Sequence, residues 1–277
     1  GEGIQVNKEE CVKLYKISAE KGHVISMYNL ALMLFNGDGI PENKKEAVKY
    51  YKMAIDKGYE NAMYNYGLML SKGDGVQENK KEAIKYYKMA IDKGQMNAMF
   101  SYALMLFRGD SIQMNKKEAA NYYKMASSKG QINAMYNLAL MLFKGDGITS
   151  DKKEAAKYFK LAADNGQVNS MFNYALMLFN GDGIPCNKKE AIKYYKMAIE
   201  HGQINAMHNY ALMLYKGDST AINKKEAAKY FKLAADKGQV QSMYNYASML
   251  FIGDGIPANK KESAKYFKMA ADKGHIL

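Results

Sequence analysis

Eight glycines, Gly22, Gly58, Gly94, Gly130, Gly166, Gly202, Gly238 and Gly274, recur every 36 residues, and no insertion or deletion breaks that register. A chain of 277 residues built this way is not one or two independent globular cores. A fixed period of ~20–50 residues marks a stack of small units, each burying its apolar face on the next.

Residues 59–94, YENAMYNYGLMLSKGDGVQENKKEAIKYYKMAIDKG, serve as the reference unit. In its first half Ala62, Tyr66, Met69, Leu70 and Gly73 follow at spacings of 4, 3, 1 and 3, which places them on one face of a helix. Gly73-Asp74-Gly75 then interrupts the pattern as a C-cap and turn, because glycine reaches positive φ without a steric cost. Asn79 restarts a helix as its N-cap, and Glu82, three residues on, stands where a capping-box side chain reaches back to the N-cap N–H. Ala83, Tyr86, Tyr87, Ala90 and Ile91 form the second apolar face, which ends at Gly94.

Each unit is thus helix A, turn, helix B, turn. Seven A helices and eight B helices are expected, the first B helix running from about Asn7 to Lys21. Such short helices are marginal alone in water. Small residues recur where backbones should approach, at Ala62, Ala98, Ala134, Ser170, Ala206 and Ser242 in helix A and at Ala54, Ala90, Ala126, Ala162, Ala198, Ala234 and Ala270 in helix B.

The pattern Ala-x-x-x-(Leu/Tyr)-(Ala/Gly), then Gly-Asp-Gly-Ile, then Lys-Glu-Ala-x-x-Tyr-(Tyr/Phe)-x-x-Ala-x-x-x-Gly resembles the Sel1-like repeat (SLR) family, a relative of the tetratricopeptide repeats. The resemblance covers the whole chain. It implies an all-α fold, a right-handed α-α superhelix (solenoid) of 36-residue helix-turn-helix repeats over residues 1–277. It also implies a non-enzymatic adaptor or scaffold that binds protein partners. The chain departs from the family in placing Leu34, Leu70, Leu106, Leu142, Leu178, Leu214 and Leu250 late in helix A, where an aromatic is frequent. Ser111 and Ser219 replace the second loop glycine, and the paired cysteines of the family's secreted branch are absent.

Composition excludes several other classes. Hydrophobic residues at 48% and charged residues at 25% are those of a folded chain rather than a disordered one. No run approaches the ~18 apolar residues of a membrane span, and no signal peptide opens the chain. Cys11 and Cys186 fall at different repeat positions, and no Asn-x-Ser/Thr acceptor occurs, which favours a reducing, cytoplasmic setting. Gly1 stands where Gly37 stands in the next unit, and Lys273 to Leu277 open a further helix, so a segment of a longer protein is expected, and a spacer or regulatory segment of a larger multidomain protein is an alternative to a binding role.

Catalysis requires unlike residues converging on one point, whereas this chain offers like residues in columns. His23, His201, His208 and His275 are sporadic replacements, without metal-ligand spacing. The Gly-Asp-Gly loops lack the Lys-Ser/Thr of a phosphate loop and the alternating acids of a calcium loop. No catalytic residue, metal, cofactor or small-molecule substrate is expected.

Forty basic residues against 28 acidic give a net charge of +12, and Arg108 alone is arginine. Lys81, Lys85 and Lys88, repeated in most units with Asn121 an exception, form a helix-B ridge that could attract a polyanion by counterion release. Base reading favours arginine and free aromatics, so nucleic acid is the disfavoured partner and an acidic membrane surface the other polyanion.

The favoured site is the opposite face of helix A, which the resemblance makes the lining of a concave groove. Asn61, Tyr64, Leu68 and Lys72 lie there at spacings of 3, 4 and 4. The first column is Tyr28, Tyr64, Phe100, Tyr136, Phe172, His208 and Tyr244. The second is Leu32, Leu68, Leu104, Leu140, Leu176 and Leu212, closed by Ser248. The third is Phe35, Phe107, Phe143, Phe179, Tyr215 and Phe251, interrupted by Ser71. Lys72, Arg108, Lys144 and Lys216 add a basic edge that suits acidic flanks of a protein or peptide partner. The interruptions Ser71, His208 and Ser248 are read as variation at a ligand-touching surface. A shoulder column, Asn29, Asn65, Ser101, Asn137, Asn173, Asn209 and Asn245, either bonds a peptide backbone or satisfies the neighbouring helix.

Overall fold

A computed structural model describes residues 7–275. Among the described residues there are fifteen α-helices of 13 residues each, α1 (Lys8–Glu20), α2 (Val24–Asn36), α3 (Lys44–Asp56), α4 (Glu60–Lys72), α5 (Lys80–Asp92), α6 (Met96–Arg108), α7 (Lys116–Ser128), α8 (Ile132–Lys144), α9 (Lys152–Asp164), α10 (Val168–Asn180), α11 (Lys188–Glu200), α12 (Ile204–Lys216), α13 (Lys224–Asp236), α14 (Val240–Ile252) and α15 (Lys260–Asp272). Odd-numbered helices are B and even-numbered helices A, in the expected numbers. They fall into two compact units, residues 1–134 and 135–277, and each is a stack of helical hairpins.

The turns form for the reasons the glycines suggest. Gly73 closes α4 at φ 67° and Gly75 follows at φ 75°. The Asp74 N–H bonds the Met69 carbonyl at 3.0 Å, satisfying one of the helix's orphan acceptors. The Asn79 side chain accepts from the Glu82 N–H at 3.1 Å, as a cap should. The return arm of the capping box differs from expectation. Glu82 Oε2 accepts from the Asn79 side-chain amide at 3.1 Å, because the Asn79 backbone N–H already bonds the Leu70 carbonyl at 2.8 Å. That bond draws the start of helix B against the end of helix A.

Between the helices of a hairpin, and between one hairpin and the next, lies a thin apolar core. The small columns are fully covered: Ala62, Ala98, Ser170, Ala206 and Ser242 in helix A, and Ala54, Ala90, Ala162 and Ala198 in helix B, have no exposed surface. Met27, Met63, Met99, Met171, Met207 and Met243 add a buried column that the periodicity argument passed over. Tyr66 meets Tyr86 edge-on at 4.8 Å, and Tyr174 meets Tyr194 in the same way at 4.8 Å, the geometry that aromatic quadrupoles favour.

Neighbouring hairpins are tied by charge. Within each unit the first lysine of a B helix reaches the loop aspartate of the next hairpin: Lys44 to Asp74 at 2.7 Å and Lys80 to Asp110 at 2.9 Å in the first unit, Lys152 to Asp182 and Lys188 to Asp218 at 2.8 Å and Lys224 to Asp254 at 2.7 Å in the second. The separation is always 30 residues. The loop aspartate therefore does more than make a turn. Lys88 lies 5.3 Å from the Tyr102 ring centroid and Lys196 5.4 Å from that of Tyr210, so the last lysine of the expected ridge is engaged with the following hairpin.

Candidate functional site

The outward side chains of consecutive A helices enclose small pockets. In the first unit one of about 190 Å³ lies between α2 and α4, lined by Leu32, Phe35, Leu68 and Lys72 over the ring of Tyr51. In the second unit one of about 150 Å³ lies between α10 and α12, where Leu176, Phe179, Leu212 and Lys216 surround Tyr195. A third, of about 190 Å³, follows between α12 and α14, lined by Leu212, Tyr215, Lys216, Tyr244 and Ile252 over Phe231. The first two use the same repeat positions.

Tyr64, Leu68, Phe100 and Leu104 in the first unit are half-buried, as are Tyr136, Leu140, Phe143, Phe172, Leu176, Phe179, Leu212 and Tyr244 in the second. Lys72, Arg108, Lys144 and Lys216 are exposed. The pockets gather Leu68 and Lys72 in one unit, and Leu176, Phe179, Leu212, Lys216 and Tyr244 in the other. Tyr64, Phe100, Leu104, Arg108, Tyr136, Leu140, Phe143, Lys144 and Phe172 hold corresponding repeat positions outside these three pockets.

His208 departs from its column. It is 9% exposed, its Nδ1 lies 2.8 Å from Ser242 Oγ, and its ring packs 5.7 Å from that of Phe231. Its polar ring finds a partner across the hairpin interface, so it is a packing residue. Ser248 donates to the Tyr244 carbonyl one turn back on its own helix at 2.9 Å and lines the pocket between α12 and α14. The asparagine shoulder also serves the fold: Asn65 donates to the Tyr28 hydroxyl at 3.2 Å and Asn209 to that of Tyr195 at 3.3 Å.

Burial lowers the pKa of His208, whereas in the unfolded chain it returns to ~6.5. Between those values the unfolded state binds the extra proton. The stability this residue supplies is therefore complete above ~6.5 and is lost as pH falls through the folded value. Replacing the pair by Phe and Ala, the combination that Phe172 and Ala206 already make at the same repeat positions, removes the titrating group without leaving Ser242 unpaired. In urea titrations at neutral pH and at pH ~5, wild type is expected to lose more stability on acidification than H208F/S242A. Parallel losses would remove His208 as the cause.

Sequence reasoning missed the pocket floors. Tyr51 and Tyr195 are each 1% exposed, and burial pushes the Tyr195 hydroxyl up to about 12. The aromatic at this place in every B helix was the available signal, but it was assigned to packing alone. Also missed was the charge balance of the rim. Asp74, Asp218 and Asp254 border the pockets but are bound by the inter-hairpin lysines, and hydrogen bonds from Lys224 and Tyr215 hold Asp254 below the usual carboxylate range. Lys188 covers the Phe179 ring at 5.1 Å and Lys44 that of Phe35 at 5.2 Å. Among the described residues Lys72 and Lys216 have no such partner, so the rim keeps an uncompensated cation.

Among the described residues no helix is long and apolar enough to cross a membrane.

Tandem 36-residue helical hairpins with apolar pockets between their A helices define an α-solenoid repeat protein. The Sel1 repeat profile matches residues 1–23, 24–59, 61–95, 97–131, 132–167, 168–203, 204–239 and 240–275, and the chain belongs to the Sel1 repeat family. Sel1 repeats commonly act as protein–protein interaction scaffolds. Among solved structures, the chain is similar to a protective antigen of uropathogenic Escherichia coli strains that displays an SLR fold. There the TM-score is 0.91 at 24% identity, covering 95% of this chain and 56% of that one. It is also similar to a Sel1 repeat protein from Oxalobacter formigenes, with a TM-score of 0.72 at 25% identity, covering 99% of this chain and 80% of that one. The chain thus spans little more than half of the E. coli antigen. No curated protein sequence matches it.

Proposed function

We propose that this chain is a non-enzymatic scaffold whose A-helix face captures a peptide or helical segment of a partner protein. One observation carries the reading: the same pocket, built from Leu, Phe, Leu and Lys over a buried Tyr, occurs between α2 and α4 and again between α10 and α12. A repeated pocket offers successive anchor sites to one extended ligand, and anchors seated in small desolvated pockets dominate binding energy. The unpaired Lys72 and Lys216 favour acidic residues beside the anchors. Phe100, Leu104, Arg108, Tyr136, Leu140, Phe143, Lys144 and Phe172 extend the face within their own units.

The test is affinity capture from nuclease-treated lysate at physiological salt, comparing wild type with the Leu176→Glu/Leu212→Glu double variant. Both changes put a carboxylate into an apolar pocket without touching the buried columns. The variant is expected to remain helical by circular dichroism and to lose partner affinity by roughly 100-fold, the product of two anchors worth about ten-fold each. Equal recovery by a well-folded variant would remove the A-helix face as the binding site.

A further inference from the structure

The B helices carry a second surface of different chemistry. In the second unit each of α9, α11, α13 and α15 has four lysines against two acids. The first lysine is accounted for by the loop aspartate in α9, α11 and α13. The next, Lys153, Lys189, Lys225 or Lys261, is exposed and makes no ion pair or ring contact with another described residue. It also sits in the first turn, where the helix dipole favours acids over bases. Folding gives no reason for a cation there.

Each of these lysines heads a stripe at i, i+4 and i+8, which share a face of the helix. The stripes are Lys153, Lys157, Leu161; Lys189, Lys193, Met197; Lys225, Lys229, Leu233; and Lys261, Lys265, Met269. All eight of these lysines are exposed. The apolar residue ending each stripe also reaches solvent, Leu161 at 45% and Leu233 at 38%, although neither helix needs a hydrophobe outside its packed face. Stripes on neighbouring B helices are held side by side. Tyr194 of α11 donates to Asp164 of α9 at 2.8 Å, and Lys232 of α13 donates to the Tyr266 hydroxyl of α15 at 2.8 Å.

We propose that the outer face of these B helices docks on an anionic lipid surface, with the lysines among the headgroups and the Leu/Met side chains at the headgroup–acyl boundary. Lysine suits a layer of diffuse negative charge, where each acts as a point cation and no bidentate fork is needed. The exposed aliphatic residues decide between anionic partners. A nucleic acid would occupy the lysines and leave Leu161 and Leu233 against phosphates, whereas a lipid interface buries them. The chain also lacks arginine on this face, its one arginine being Arg108 in α6. This surface is distinct from the A-helix face, and neither reading depends on the other.

The experiment is co-sedimentation of the full chain with vesicles of phosphatidylcholine alone and of phosphatidylcholine mixed with phosphatidylserine, at physiological salt. Wild type is expected to bind the mixed vesicles and not the neutral ones. K153Q/K189Q/K225Q/K261Q is expected to bind about ten-fold more weakly or worse, and L161S/L233S about three-fold more weakly. All substituted side chains are exposed, and circular dichroism with thermal unfolding checks that each variant stays folded. The Leu176→Glu/Leu212→Glu variant is expected to sediment as wild type does. Absence of binding to the mixed vesicles overturns the proposal, as does binding insensitive to the lysine changes. Binding insensitive to the leucine changes and matched by duplex DNA assigns the face to a generic polyanion and likewise overturns it.

Discussion

Phe231→Ala is expected to cost about 3–5 kcal/mol of unfolding free energy, the usual penalty for truncating a buried phenyl ring. Phe231 projects from α13, is 1% exposed, packs against His208 and forms the floor of the pocket between α12 and α14. Its removal would join the space of the ring to a pocket of about 190 Å³ already open above it. Collapse cannot refill that volume, because Ala206 and Ser242 hold the flanking helices in contact with no exposed surface. With denaturant slopes of ~1–3 kcal/mol per molar, the urea midpoint should fall by at least ~1 M. Stability in such a stack is transmitted between nearest neighbours, so loss of amide protection should centre on α11–α14, with α1–α6 keeping theirs. An unchanged midpoint would show that the ring does not contribute to the core.

Gly183→Val is expected to destabilise the second unit by about 2–4 kcal/mol, combining left-handed backbone strain with a steric clash. Gly183 has φ 73°, and a β-carbon there would lie 2.4 Å from Lys152 Cβ and 2.7 Å from the Lys152 carbonyl carbon. The neighbour is the first turn of α9, so a flexible side chain moving aside does not relieve the contact. Displacing the loop would also stretch the Lys152–Asp182 bridge, although an ion pair this exposed adds little by itself. The chain contains the reciprocal case. Ser219 occupies the equivalent place in the next loop at φ 58°. Ser219→Gly should therefore stabilise by about 1 kcal/mol, the strain that a non-glycine residue bears in this region. Thermal unfolding of both variants tests the pair, and shifts of the same sign would contradict the argument.

Most of the architecture was legible because each repeat announces its own boundaries. Asn79, Gly73 and Gly94 mark helix ends through local backbone chemistry, and the apolar spacings mark faces. The same pattern showed that Leu68, Leu176 and Leu212 face away from the core. What it could not show were bonds between one repeat and the next. Lys44 and Asp74 belong to different hairpins, and helical periodicity is silent about residues 30 apart unless both are tracked along the period. The histidine illustrates a second limit. In the column of outward aromatics His208 looks like a variable binding residue, but Ser242, in the following A helix, gives its ring a polar partner and draws it inward. Pocket depth was hidden for a related reason: the floor, Tyr51 or Tyr195, comes from the B helix, while the walls come from two A helices.

The inter-hairpin bridge bears on how such a chain can change length. Within each unit every Lys–Asp bridge described above joins a residue to the one 30 places further on, and each asparagine cap that follows an A helix reaches back nine places to a leucine carbonyl, as Asn79 does to Leu70. Every such link is a fixed offset along the chain, so none refers to an absolute address. Excising or duplicating 36 consecutive residues preserves both offsets, so the lysines and caps inside the array meet the same partners as before. Recombination can therefore lengthen or shorten the array one whole hairpin at a time, and each new junction is already complementary to its neighbours.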